Sequence, residues 1–162
     1  MAGMAMISQA PYDVFAVADA ILKITKERGR QLTPMQLVKL TYITHGFSLA
    51  IRNKPLFYND IEAWKYGPVI PKLYHATKEY GRNPIPFSVI GDSQDIDIAF
   101  DDKQLVEKVL DKYQDLDGIT LSYLTHKPGT PWSQVYNLGV NMPIDDEMIK
   151  KHYQELVAHG RH

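Results

Sequence analysis

Ser122 and His126 stand four residues apart, a spacing that puts a hydroxyl and an imidazole on one face of a helix, where a carboxylate could orient the ring as a hydrolase requires. No Gly-x-Ser-x-Gly turn surrounds the serine to hold its Oγ exposed. A helix-terminal histidine making a structural hydrogen bond accounts for the pair with less. Asp92, Asp95 and Asp97 form an acidic series that could hold a hard cation, but they lack the glycine and distal Glu of an EF-hand loop and read as a solvated turn. The six histidines include no His-Glu-x-x-His pair or other close cluster. The chain has no cysteine, which removes disulfides, thiolate nucleophiles and thiolate metal sites together. Neither a Gly-x-x-x-x-Gly-Lys-Ser/Thr loop nor a Gly-x-Gly-x-x-Gly turn is present to cradle phosphates. The chemistry-bearing residues therefore point away from an enzyme, and no metal or cofactor is expected.

The elements that would position these residues belong to one domain spanning residues 1–162, with 1–10 expected to be flexible and 158–162 frayed. A 162-residue chain with 44% apolar residues can bury one core. The uncharged run Leu40 to Ile51 contains Thr, His and Ser and is too short to cross a membrane. The N-terminus has no basic residue ahead of an apolar stretch, so it does not read as a secretory signal, and a cytoplasmic location is expected. The net charge of −1 conceals an asymmetry: residues 23–82 hold eleven Lys and Arg against four acids, and residues 92–117 hold three Lys against nine acids. Such halves either steer a charged partner or complement each other within the fold.

The spacing of Val14, Val17, Ala18, Ile21, Leu22 and Ile24 predicts an amphipathic helix from about Pro11 to Arg28, closed by Gly29. Thr33, Pro34 and Gln36 form a helix start with a capping box. The helix that follows, to about Ile51, is apolar on nearly every side and should be central, with Lys39 and His45 as polar exceptions. A third helix is predicted from Pro71 to Tyr80, and Phe87–Ile90 with Ile96–Phe100 read as a small hairpin. Leu105 to Leu116 mark a fourth helix stopped by Gly118. Two short helical pieces around Leu121–Thr125 and Trp132–Leu138, and a final helix from about Asp145, complete the chain. The fold class is α+β, mainly helical, with about six helices and a small β-hairpin or short sheet. The first two helices could pass for a helix-turn-helix, but the second is too apolar to lie in a groove of DNA, so nucleic-acid binding is not expected. Lys23, Lys26, Arg28 and Arg30 could still contact phosphates.

Ile61 to Ile70, IEAWKYGPVI, is the most informative stretch. On an extended segment from Ile61 to Tyr66, Trp64 and Tyr66 would share a face, with Lys65 and Gly67 on the other. Two large aromatics on one side either anchor a core or form a binding hot spot. Taken singly, each reads first as core, leaving Lys65 to face solvent or a partner.

The order Leu37-x-Lys39-Leu40-x-Tyr42, His45-Gly46-x-x-Leu49-Ala50, Lys54-Pro55-Leu56, Trp64-Lys65-Tyr66-Gly67-Pro68-Val69-x-Pro71, Leu73-Tyr74, Leu124-Thr125-His126 and Pro131-Trp132 resembles the Panacea domain family. Its members include phage-associated proteins, and the best known are antitoxins. The resemblance marks Lys39, Trp64, Lys65, Tyr66, Gly67, Pro68, His126 and Trp132 as family-signature or partner-binding positions, and it leaves Asn83–Phe100 and the last helix unmatched. It implies an antitoxin that neutralises a co-encoded toxin by direct contact. The alternatives it leaves are an adaptor delivering a partner to a cytoplasmic protease and a DNA-binding regulator; a hydrolase is a further one. The implied partners are a cognate toxin, a protease and a second copy of the chain, with no membrane.

Overall fold

A computed structural model describes residues 6–7, 9–86 and 96–160. Its elements in order are β1 (Met6–Ile7), α1 (Val14–Glu27), α2 (Pro34–Arg52), β2 (Glu62–Trp64), β3 (Gly67–Val69), α3 (Pro71–Thr77), β4 (Ile96–Asp97), α4 (Phe100–Tyr113), α5 (Gly118–His126), α6 (Pro131–Val135), β5 (Met142–Pro143) and α7 (Asp146–His159). The class is α+β and mainly helical, with seven helices among the described residues. Strands β3, β2 and β5 form an antiparallel sheet in that order, and β1 pairs with β4 in parallel.

Helix α2 is the axis of the molecule. Thr33 caps it as the sequence predicts: Gln36 N donates to Thr33 Oγ1 at 3.4 Å and Thr33 N donates to Gln36 Oε1 at 2.9 Å, satisfying two backbone donors that a helix start leaves open. Leu37, Leu40, Tyr42 and Ile43 are buried on different sides of it, because α1, α4, α5 and α7 all pack around it. One buried cluster runs from Tyr12 to Tyr153. Helix α7 packs along α2 more extensively than any other element. Gly46 makes that approach possible, since a Cβ there would lie 2.4 Å from the Tyr153 ring. Tyr153 meets Phe47 edge-on, with ring centroids 4.9 Å apart, and Tyr42 at 6.2 Å. Burial pushes the Tyr153 phenol well above its ordinary pKa. His45 completes the seam: its Nε2–H donates to Asp146 Oδ1 at 2.8 Å, Nδ1 accepts from Leu56 N at 3.2 Å, and the ring stacks on Phe57.

The basic and acidic halves of the chain meet inside this fold. Arg28 pairs with Asp111 at 2.9 Å and Arg30 with Asp115 at 2.6 Å, which joins the end of α1 and the turn after it to α4. Arg52 lies 2.5 Å from Asp102, a fully buried carboxylate that also accepts from Tyr12 OH at 2.6 Å. Burial and the Asp102 carboxylate together raise the Tyr12 phenol to about 12. Of the two readings of the charge asymmetry, internal complementarity is the one these pairs express.

Two boundaries depart from expectation. Gly118 does not stop α4, which ends at Tyr113; it opens α5, because Asp117 supplies the N-cap and accepts from Thr120 N at 2.7 Å. The stretch from Ile61 to Tyr66 is not one extended segment but half of a hairpin, paired Glu62 to Val69, Ala63 to Pro68 and Trp64 to Gly67. Pro68 fits within β3 because that strand is an edge and its missing N–H is not required. The hairpin predicted from Phe87–Ile90 lies outside the described residues; Ile96–Asp97 pairs with β1.

Candidate functional site

The β2–β3 hairpin turns through only Lys65 and Tyr66. Its backbone is gripped from three sides by side chains, each donating to a carbonyl. Trp132 Nε1 of α6 donates to Trp64 O at 2.5 Å, Ser122 Oγ of α5 to Tyr66 O at 2.6 Å, and Lys39 Nζ of α2 to Pro68 O at 2.8 Å. The three acceptors alternate along the chain, so the turn is fixed at its entry, its tip and its exit. Gly67 has φ +117°, a conformation that favours glycine, and a Cβ there would lie 3.1 Å from Lys39 Nζ and 3.4 Å from Thr125 Oγ1. Glycine is thus required twice, by the backbone and by the donor packed behind it.

Lys39 is 2% exposed, and burial lowers its ammonium to about 7. No carboxylate among the described residues lies within 4 Å of it, so Pro68 O is the partner of a costly buried group. Trp132 is held in turn, stacked on Tyr136 at 4.5 Å and edge-on to His126 at 5.1 Å.

The same geometry defines the Ser122–His126 pair. The serine is buried and its hydroxyl proton goes to Tyr66 O. His126 Nδ1 lies 2.5 Å from Ser122 O and 3.3 Å from Ser122 Oγ. With its proton donated to the carbonyl, Nδ1 has no lone pair with which to accept one from the serine. The pair thus serves as a helix-terminal hydrogen bond and a clamp on the hairpin. Among the described residues no three His, Asp or Glu side chains come together as a metal would need; Asp92 and Asp95 lie outside that set.

The eight signature positions therefore separate by role. Lys39, Gly67, Pro68, His126 and Trp132 build the clamp, while Trp64, Lys65 and Tyr66 are what it presents. The expectation that Trp64 and Tyr66 share one strand face and act as core is corrected, because Tyr66 sits in the turn and is 59% exposed. Trp64 is half-buried, packs edge-on to Tyr74 at 5.0 Å and donates its indole N–H to Glu62 at 2.8 Å. Lys65 is exposed, as expected, with Nζ 5.4 Å from the Tyr66 ring centroid.

Beside the hairpin lies an apolar groove of about 430 Å³, walled by Met35 and Val38 of α2, Val69 of β3, Tyr74 of α3 and the outward side chains of the turn. Helix α5 flanks it: Gly118 abuts Met35, and Ile119 and Tyr123 stand 79% and 58% exposed on the adjoining face. Sequence reasoning missed Met35, Ile119 and Tyr123 as surface candidates. An apolar residue in a helix looks like core wherever its helix is central, and only the packing shows which positions are left uncovered.

Fold and site together define a mainly helical α+β protein built around a hairpin clamped by its main chain. The chain belongs to the antitoxin SocA-like, Panacea domain family, whose model matches residues 37–133, from the first turn of α2 into α6. It is similar to the protein named Antitoxin SocA from Caulobacter vibrioides, 28% identical over 170 residues that span 93% of this chain and 88% of that one. No solved structure matches it. No described helix is long and apolar enough to cross a membrane.

Proposed function

We propose that the chain is an antitoxin that neutralises a co-encoded toxin by direct protein contact, acting as one unit in the cytoplasm. The observation that carries this reading is the clamped hairpin: Lys65 and Tyr66 are exposed while the backbone beneath them is held by three donors. A display loop fixed in advance loses little conformational freedom on binding, so more of the contact energy appears as affinity. Tyrosine, exposed here as Tyr66, is among the residue types enriched in binding hot spots. Family membership and the printed name of the relative support the same assignment. The arginines that a nucleic-acid reading would need, Arg28 and Arg30, are paired with Asp111 and Asp115.

The test is co-expression with the product of the adjacent gene. The neighbour should arrest growth alone and be tolerated together with this chain, and the two should co-purify. A neighbour that is harmless alone, or equally toxic in the presence of this chain, overturns the reading.

A further inference from the structure

We infer that the groove beside the hairpin receives an apolar side chain carried on an acidic segment of the partner protein. This rests on the binding role proposed above and specifies what the partner must present. The floor is apolar, formed by Met35, Val38 and Val69, and its volume of about 430 Å³ accommodates a Phe or Leu side chain. The charged residues of its lining are all cationic: Lys65 and Lys78 stand exposed on the rim, Lys39 is buried, and no Asp or Glu takes part. Some cations elsewhere are paired within the chain, Arg28 with Asp111, Arg30 with Asp115, Lys72 with Asp13 and Lys103 with Asp97, while others such as Lys108, Lys127 and Lys151 form no ion pair among the described residues. Lys65 and Lys78 have no carboxylate within 4 Å among the described residues. An apolar groove whose exposed rim charges are two cations, with no acid in its lining, is complementary to carboxylates flanking an apolar anchor. The same two charges repel a basic segment.

Titration of the ¹⁵N-labelled full chain with three synthetic peptides tests this, one with a central Phe flanked by Glu, one with Phe flanked by Lys, and one with Ala in place of Phe between the same Glu residues. The Glu–Phe peptide should shift the Trp64 indole resonance and the Lys65, Val69 and Lys78 amides. The other two should bind at least about tenfold more weakly, a difference of roughly 1.4 kcal/mol. The exposed double variant Lys65→Glu, Lys78→Glu should lose the Glu–Phe peptide by a similar factor. The inference is overturned if the Glu–Phe peptide causes no shift, if its shifts fall outside the groove, if the Lys peptide binds equally, or if the double variant binds as before. Co-expression separates this from the parent proposal. A double variant that neutralises at wild-type potency removes the groove assignment and leaves the antitoxin reading standing. A wild-type chain that fails to neutralise removes that reading, and the peptides still decide the groove.

Discussion

The hairpin clamp and the α2–α7 seam are both anchored on α2, about two turns apart at Lys39 and Gly46, and they are held by opposite means. The seam, apart from the His45–Asp146 hydrogen bond, is a matter of shape: a ring lies on a glycine and is walled by two further aromatics. The clamp is a matter of donors, with three side chains each reaching one carbonyl. A packed seam should therefore punish added volume, whereas a clamp should punish a lost N–H or O–H even when volume is preserved.

The largest effect belongs to the seam. Gly46→Val should cost about 3 kcal/mol or more in chemical denaturation, because the Tyr153 ring occupies the space of the new side chain and is itself fully buried. Helix propensity alone would make the substitution favourable, so an unchanged or raised midpoint would show that α7 yields easily.

Lys39 provides a pH signature of the clamp. Its folded pKa, about 7, lies below the 10.5 of the unfolded chain, so between these values the unfolded state holds the extra proton and stability rises with pH. The rise between pH 7 and 9.5 should be on the order of 3 kcal/mol at most. It should be absent in Lys39→Met, with the difference between the two proteins flat below pH 7. Equal pH profiles for both would mean that the ammonium is not desolvated as its burial indicates. Buried Tyr42, Tyr113 and Tyr153, all raised by desolvation, act in the opposite direction only above pH 10, outside this window.

Trp132→Phe keeps an aromatic ring beside Tyr136 and removes the donor to Trp64 O together with part of the indole's area. It should cost about 1–2 kcal/mol and increase amide exchange at the hairpin. A cost confined to lost apolar area, with no change in exchange, would make Trp132 a packing residue like those of the seam. The smallest effect is expected at Lys65→Glu, which touches neither region's interior and should leave stability within about 0.5 kcal/mol while weakening toxin binding. Unchanged toxin binding would remove Lys65 from the interface.

Local signals were legible wherever neighbours in sequence decide the outcome. Thr33 with Gln36, the apolar girth of α2 and the acidic opening of α4 each act within a few residues. Gly118 misled because a glycine after a helical run usually ends it, and the Asp117 cap that reverses its meaning lies immediately before it. The clamp left no such trace. Its bonds join positions 29, 56 and 68 residues apart, and side chain to carbonyl contacts impose no period on a sequence. Resemblance to a family gathered Lys39 and Trp132, two of the three side chains that donate to the hairpin, but not Ser122, and it could not tell the residues that grip from those at the turn.

Holding a loop by its carbonyls has a consequence for how such a protein can change over time. Every residue has a carbonyl, so the grip on Trp64 and Tyr66 does not depend on which side chains occupy those positions or Lys65 between them. The specificity of the display is separable from the stability of the scaffold. Randomising positions 65 and 66 should yield mostly folded proteins, so the outward surface of the turn can change without the scaffold being rebuilt.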